Sequence, residues 1–377
     1  MQGPYFASKI LIFMKGVSLF SGAGGLDVGF RKAGFDIVWA NDFDKMTCET
    51  YRANFGDHIR VGDILDHVPE LFKQIRTADI VFGGPPCQGF SVAGKMNPND
   101  PRSKHIWNFV KVVEQIKPRA FVLENVKALG TLSKWENIRN ALLKKFRSIG
   151  YATNFVVVNA SNYNVPQSRE RVFFIGFKNN PTIIPDLRAM LSPYAKKAPT
   201  VREALSVLSP IGTGNNQGIC NAKITLTPKP VLRKSPYAGM LFNGLGRPVK
   251  IDGYCATLPA SMGGNKTPII DNDELYKHRR SWVESYHRGI MRGKKPAPFG
   301  LAPKRLRRLT VEEAALIQTF PIDFQFKGSQ SSKFKQIGNA VPCNLGYSVA
   351  KMMMDYLMHE DLENILLRVP VELELFD

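Results

Sequence analysis

The sequence predicts an α/β protein, built on a doubly wound, mostly parallel sheet with a smaller, loop-rich second domain. Three observations predict it. Short apolar runs alternate with amphipathic segments through the first half of the 377 residues. A long stretch rich in proline, glycine and polar residues then breaks the alternation, and regular structure returns near Leu309. Strands that alternate with helices favour a parallel sheet covered on both faces.

The elements follow in order. Residues 16–20 read as a first buried strand, followed by a glycine turn and by Leu26, Phe30 and Ala33 at helical spacing. Residues 37–40 form a second strand, Gly62-Asp63-Ile64 closes a third, and residues 80–82 form a later one. Ile106, Phe109, Val110 and Val113 recur at helical spacing before a strand at 120–123, and strands at 155–158 and 172–175 complete the set. Composition changes after about Pro185. Thr310 followed by Glu313 is a capping-box signature for a helix carrying Ala314, Ala315 and Ile317. A last helix is expected from about residue 344 to 358, and the end from Glu360 is acidic. The division expected is a first part of one domain over 1–185, an inserted domain over 186–304 and a return to the first over 305–377.

Charge narrows the partners. Lys and Arg number 51 against 32 Asp and Glu, a net charge of +19. Residues 186–304 alone hold 19 basic and 7 acidic side chains. Such a surplus points to a polyanion, nucleic acid before an anionic membrane, and the plain alternative for one basic segment is a solvated surface. No apolar run approaches the roughly 20 residues that span a bilayer. Residues 10–14 are too short for a secretory signal and lack its flanks. The five cysteines, Cys48, Cys87, Cys220, Cys255 and Cys343, are scattered, with no CxxC pair or Cys/His cluster. That suggests neither zinc nor a disulfide framework, and a reducing cytosol.

Several strand ends carry chemistry. In Leu19-Phe20-Ser21-Gly22-Ala23-Gly24-Gly25-Leu26 a strand runs through glycines into a helix, where backbone and free amides can approach a nucleotide-like ligand; a plain tight turn is the alternative. Asp42 ends the second strand, where a carboxylate can accept ribose hydroxyls, and Phe43 beside it can stack on a base. Asp63 is placed to accept from an adenine amino group, although Asp and Gly also simply end strands. Cys87 follows Gly83-Gly84-Pro85-Pro86 in a loop stiffened by prolines, and a thiolate there is a good nucleophile. Glu124 follows the apolar Phe121-Val122-Leu123; burial would raise its pKa and let it hold a proton, and capping the next helix is the alternative. Arg169 and Arg171, one residue apart, are expected on one face of an extended chain, ready for a carbonyl oxygen or a phosphate.

In order, the strings FSGAGG, NDFDK, GDI, GGPPCQGFS, ENV, QSRERVFFIGF, RRLTVEEAALIQTFP and IGNAVP resemble the cytosine-5 DNA methyltransferase family of bacterial restriction-modification type. The likeness covers about residues 15–185 and 305–355. It implies an S-adenosylmethionine-dependent, Rossmann-like methyltransferase domain and a target-recognition domain over 186–304. It makes Cys87 the nucleophile and Glu124 the contact to ring nitrogen 3 and the amino group of the cytosine. It sets Arg171, with Arg169 nearby, on the cytosine oxygen and the active-site loop. Phe20, Ala23, Gly25, Asp42, Phe43, Asp63, Ile64, Pro86, Asn339 and Val341 would line the S-adenosylmethionine site. Gln88, Ser91, Thr257 and Leu258 would contact DNA. The resemblance implies a cytoplasmic bacterial monomer acting on double-stranded DNA, with a cognate restriction endonuclease as functional partner and no metal or membrane.

The sequence departs from the family in places. Residues 1–13 precede the usual start, which Met14-Lys15-Gly16 resembles. Ala93 stands where some members have a serine, and the acidic end has no counterpart. Rival readings are a transfer RNA methyltransferase of the same fold, an inert DNA-binding module and a nicotinamide dehydrogenase. The long basic insert favours DNA over RNA. The intact Cys87, Glu124 and arginines speak against inertness, and a dehydrogenase has no use for PPCQ.

Overall fold

A computed structural model describes residues 14–86, 104–178 and 182–358. Strands and helices alternate from the start: β1 (Met14–Leu19), α1 (Gly25–Ala33), β2 (Phe35–Asp42), α2 (Lys45–Phe55), β3 (Ile59–Val61), α3 (Ile64–Gln74) and β4 (Ile80–Gly83). They continue through α4 (Lys104–Ile116), β5 (Ala120–Val126), α5 (Lys127–Thr131), α6 (Glu136–Ser148), β6 (Tyr151–Asn159), the two-residue β7 (Gln167–Ser168) and β8 (Glu170–Lys178). Seven strands form one sheet in the order β3-β2-β1-β4-β5-β8-β6. Every pairing from β3 to β5 is parallel, and β8 runs antiparallel to both neighbours. The expected doubly wound, mostly parallel sheet is therefore the fold observed.

Both faces of the sheet are buried, so its strands are apolar throughout. Successive residues still take opposite sides. Ile80 and Phe82 join one core with Phe30, Val122, Ile175, Val349 and Met353, whereas Val81 joins another with Leu19, Trp39, Phe109, Phe121 and Phe146. Phe30 of α1 stacks on Phe82 at 3.8 Å between ring centroids, and Phe121 stacks on Phe146 at 3.9 Å. Each such ring contributes about 1.5–3 kcal/mol by leaving water. The chain turns from β1 to β2 on one side and reaches β4 on the other. The crevice of the sheet thus lies beyond the carboxyl ends of β1 and β4, where open α/β sheets bind ligands.

The remaining chain forms α7 (Leu187–Leu191), α8 (Val201–Leu205), β9 (Thr225–Val231), β10 (Met240–Phe242), β11 (Cys255–Ala256), β12 (Ile269–Asp271), α9 (Asn272–Lys277), α10 (Trp282–Met291), β13 (Gly300–Leu301) and β14 (Leu306–Arg308). It ends in α11 (Val311–Ile317), α12 (Gln330–Asn339) and α13 (Cys343–Met358). Two details differ from the sequence reading. Asp186 caps α7, whose Leu187, Met190 and Leu191 pack into the sheet core beside α13, so the chain leaves the sheet only after this helix. Its apolar residues fall at helical spacing, but five residues are too few to show a period. Past residue 304, β14 still pairs with β12, and residues on either side of that point share one core that includes Val201, Leu258, Val311 and Phe334. The expected capping box is present, Thr310 accepting from the Glu313 amide and Glu313 from the Thr310 amide. Among the described residues no helix is long and apolar enough to cross a membrane.

Candidate active site

Three features shape the carboxyl edge of the sheet around β1. After Leu19 the backbone turns through left-handed conformations at Phe20, Gly22 and Gly24, with φ of 54°, 58° and 87°. Glycine adopts these freely; Phe20 does so at a cost, and such strain persists where the surroundings fix it. The N-cap residue Gly24 has no side chain to cap α1, whose N-terminus faces this edge. Ala23 is buried, and the Val341 carbonyl lies against Gly25 so closely that a Cβ there would stand 2.5 Å from its oxygen.

Asp42 at the end of β2 ties this loop down. One carboxylate oxygen accepts from the Gly22 amide at 2.8 Å and the other from the Asp44 amide at 2.9 Å. Burial raises the Asp42 pKa against these two hydrogen bonds. A carboxylate has about four acceptor sites, so two remain for a ligand. Phe43 next to it is 77% exposed, an unusual setting for a phenyl ring. Lys335 of α12 pairs with Asp44 at 2.9 Å, bringing α12 beside the same loop. Asp63 caps α3 through the Leu65 amide, Ile64 is buried, and Asn339 is exposed at the end of α12.

Under this loop lies a carboxylate that makes no ion pair among the described residues. Asp27 in the first turn of α1 is fully buried, accepts from the Tyr51 hydroxyl at 2.9 Å, and Tyr51 in turn lies 3.2 Å from His58 Nε2. Burial pushes its pKa up to about 7, opposed by the Ser18 and Tyr51 hydroxyls.

Beyond β4 and β5 a second group assembles. Glu124 lies inside β5, opposite Phe173 of β8, and its carboxylate meets Arg171 Nε at 2.9 Å. It does not cap the next helix, α5, which has no side-chain cap. Burial raises the Glu124 pKa, and the charges of Arg171 and then Arg169 lower it. The chain over it is Gly84-Pro85-Pro86, where a Cβ on Gly84 would stand 2.8 Å from the carboxylate. The buried Asn125 side chain donates to the Pro85 carbonyl at 3.1 Å and so fixes the approach to the next residue. The sequence reading gave Asn125 no part; only its place in the ENV string pointed to it. Cys87, Gln88 and Ser91 lie outside the described residues.

The two arginines take different partners. Strand pairing breaks between β7 and β8, so Arg169 is not on a continuous strand with Arg171. Its guanidinium is buried and donates to the Leu258 carbonyl at 2.9 Å and the Gly338 carbonyl at 2.8 Å. Leu258 is itself buried, with its amide on Gln167 Oε1, while the exposed Thr257 donates to the Ser168 carbonyl. The Thr257-Leu258 pair is thus seated on β7, alongside the parallel pairing of β11 with β7.

A protonatable carboxyl beside a guanidinium, next to a glycine-lined crevice, suits chemistry on a heterocyclic base. The sequence model of the C-5 cytosine-specific DNA methylase family matches residues 14–355. The chain belongs to this family. Its relatives include the type II methyltransferase M1.HphI of Haemophilus parahaemolyticus, 33% identical over 93% of this chain and 90% of that protein. The type II methyltransferase M.FnuDI of Fusobacterium nucleatum is 31% identical over 92% of this chain and 96% of its own. Among solved structures, a protein described as a prophage-encoded DNA modification methyltransferase of E. coli has the same fold, with a TM-score of 0.64 at 23% identity over 92% of this chain and 100% of that one. The S. pombe Dnmt2 methyltransferase reaches 0.62 at 18% identity, covering 92% and 100%. The C-5 cytosine methylase described here is therefore a DNA methyltransferase of the type II restriction-modification kind. Members of this family take their methyl group from S-adenosylmethionine.

Proposed function

We propose that this chain methylates carbon 5 of a cytosine swung out of double-stranded DNA, through a covalent bond to Cys87. The observation that carries the reading is the buried Glu124–Arg171 pair beneath Gly84-Pro85-Pro86, directly before Cys87. Carbon 5 of cytosine is too electron-poor to take a methyl group unaided. The Cys87 thiolate adds to carbon 6 while Glu124 gives a proton to ring nitrogen 3, and carbon 5 becomes nucleophilic. Arg171 holds the ring oxygen and keeps the Glu124 carboxyl in place. After transfer, a water molecule takes the carbon-5 proton, the thiolate leaves carbon 6 as the double bond re-forms, and ring nitrogen 3 returns its proton to Glu124. A stacked base cannot reach these groups, hence the flipped substrate. Three other thiols are poor candidates: burial pushes Cys48 and Cys255 up to about 12 and raises Cys343 well above the usual thiol range.

S-adenosylmethionine supplies an electrophilic methyl group when bound. The crevice fits it: the left-handed turn at Phe20, Gly22 and Gly24 and the N-terminus of α1 leave room for its charged end. Asp42 suits the ribose hydroxyls, exposed Phe43 the adenine face, and Asp63 and Ile64 the adenine edge. Ala23, Gly25, Pro86, Asn339 and Val341 close the rest. Residues 186–304 would read the DNA sequence, with Thr257 and the backbone of Leu258 close to the site and Arg169 holding them there. The biological role proposed is protection of DNA from a cognate restriction endonuclease, by a cytoplasmic monomer.

The test uses a duplex with 5-fluorocytosine at a site mapped by bisulfite sequencing of DNA from expressing cells. Fluorine at carbon 5 cannot leave as a proton does, so the adduct persists. The native chain should be trapped covalently and Cys87→Ser should not. An adduct that survives in Cys87→Ser removes the assignment, and methyl transfer to transfer RNA in place of DNA changes the substrate.

A further inference from the structure

Two fully buried glutamines, 151 residues apart in sequence, form a directed chain of hydrogen bonds across the molecule. The Leu258 amide donates to Gln167 Oε1 at 2.9 Å. Gln167 Nε2 donates to Gln318 Oε1 at 2.8 Å. Gln318 Nε2 then donates to the carbonyls of Ile337 at 2.6 Å and Ala340 at 3.1 Å. Arg169 runs parallel to this chain, from the Leu258 carbonyl to the Gly338 carbonyl. At one end lies the 257–260 stretch of the inserted segment. At the other lies the 337–341 turn, which rests on Gly25 at the start of α1.

Two features show that the arrangement is tightly determined. Gly338 abuts Pro259 so closely that a Cβ would stand 2.4 Å from the Pro259 carbonyl oxygen and 2.7 Å from Ala260 Cα. Thr319, a β-branched residue, is held at a φ of 60°. Its hydroxyl donates to the Gln318 carbonyl and accepts the Asn344 amide, and the Cys343 amide also donates to the Gln318 carbonyl. A β-branched residue in the left-handed region is strained, and the bonds on either side of it hold it there. The amide groups of Gln318 and Gln167 have no slack: turning either one by half a revolution would set donor against donor or acceptor against acceptor.

We propose that Gln318 and Gln167 are positioning residues that make DNA recognition and cofactor binding mutually dependent. This rests on the function proposed above. A displacement of Leu258 on DNA reaches the 337–341 turn through this buried chain, alongside the Arg169 link and the Pro259–Gly338 contact, and the glutamines can satisfy each other in one arrangement only. The same path carries the effect in reverse, because coupling between two binding sites is reciprocal. Neither glutamine touches the reacting atoms.

The experiment is isothermal titration of S-adenosylhomocysteine into the full chain, with and without a duplex carrying the mapped site. The native chain should bind S-adenosylhomocysteine about fivefold or more tightly with DNA present, and Gln318→Met and Gln318→Glu should reduce that ratio to about twofold or less. Gln318→Glu keeps the acceptor for Gln167 and loses the donors to Ile337 and Ala340, so it cuts a single link. In case both variants fold poorly, hydrogen exchange on the native chain is the second readout: S-adenosylhomocysteine alone should slow exchange in the 255–260 stretch. Unchanged exchange there overturns the proposal, as does a variant that keeps the native ratio. A native chain that binds S-adenosylhomocysteine equally with and without DNA overturns the coupling alone. A native chain that binds none overturns the proposed function and the coupling with it.

Discussion

Asp27→Asn should change how the protein's stability depends on pH, and the size of the effect can be worked out. The carboxyl is fully buried and hydrogen-bonded to Tyr51, it makes no ion pair among the described residues, and burial lifts its pKa from 3.8 to about 7. The folded state therefore holds this proton over a range where the unfolded chain has lost it. The resulting stability is fully present below about pH 4 and is lost as pH rises through about 7, at up to about 1.4 kcal/mol per pH unit. Between about pH 5 and pH 8 the native chain should lose about 3 kcal/mol that Asp27→Asn keeps, because an amide preserves the shape and does not ionise. Titrating groups remote from Asp27 are common to both proteins and cancel in the comparison, whereas the Asp42 charge acts on Asp27 and its titration shifts slightly with the substitution. Urea unfolding followed by tryptophan fluorescence at the two pH values measures it. With a urea slope of about 3 kcal/mol/M or more for a chain of this size, the native midpoint should fall by up to about 1 M relative to the variant. Parallel pH profiles would mean that Asp27 is ionised in the folded protein throughout, and would refute the reasoning.

Three further outcomes are expected. Glu124→Gln should slow the single-turnover rate about a hundredfold or more while leaving DNA affinity near native, since an amide cannot supply the proton; an unchanged rate would remove the acid role. Gly338→Ala should destabilise the protein by about 1–3 kcal/mol in thermal melts, because its Cβ meets the Pro259 backbone, which cannot swing aside as a flexible side chain can; an unchanged or raised melting temperature would show that α12 moves freely. Exchanging residues 186–304 for the matching segment of a relative with a known site should transfer that site, read by bisulfite mapping, whereas neutralising basic residues there should weaken binding to all DNA and flatten its salt dependence. A folded, active hybrid that keeps the original target would place recognition elsewhere.

The sheet was legible because its strands are apolar runs buried on both faces. The capping box at Thr310 and Glu313 was legible because it is a local, reciprocal pair. What escaped the sequence is non-local. Arg169 and Arg171 read as a pair on one strand, and only the break between β7 and β8 separates their partners. Asp63 offered two readings, and its hydrogen bond to the Leu65 amide makes it at least a helix cap. Gln167 and Gln318 are ordinary polar residues in sequence, and nothing near either one announces a partner 151 residues away. Asp27 sits in a helical first turn, where a carboxylate is expected on the surface, and is buried because α13 and α2 close over α1.

The way the inserted segment is anchored has a bearing on how such proteins diverge. Many of the contacts beside the active site involve main-chain atoms of the insert: the ladder of β11 on β7, both polar groups of the Leu258 peptide, and the Pro259 backbone against Gly338. Main-chain atoms are the same whatever side chains surround them. If the insert reads the target as proposed, substitutions can accumulate over the rest of it, and new targets can arise, without unseating it from the machinery below. The anchoring depends instead on side chains and space of the receiving surface, Gln167, Arg169 and Gly338, which lie outside the insert.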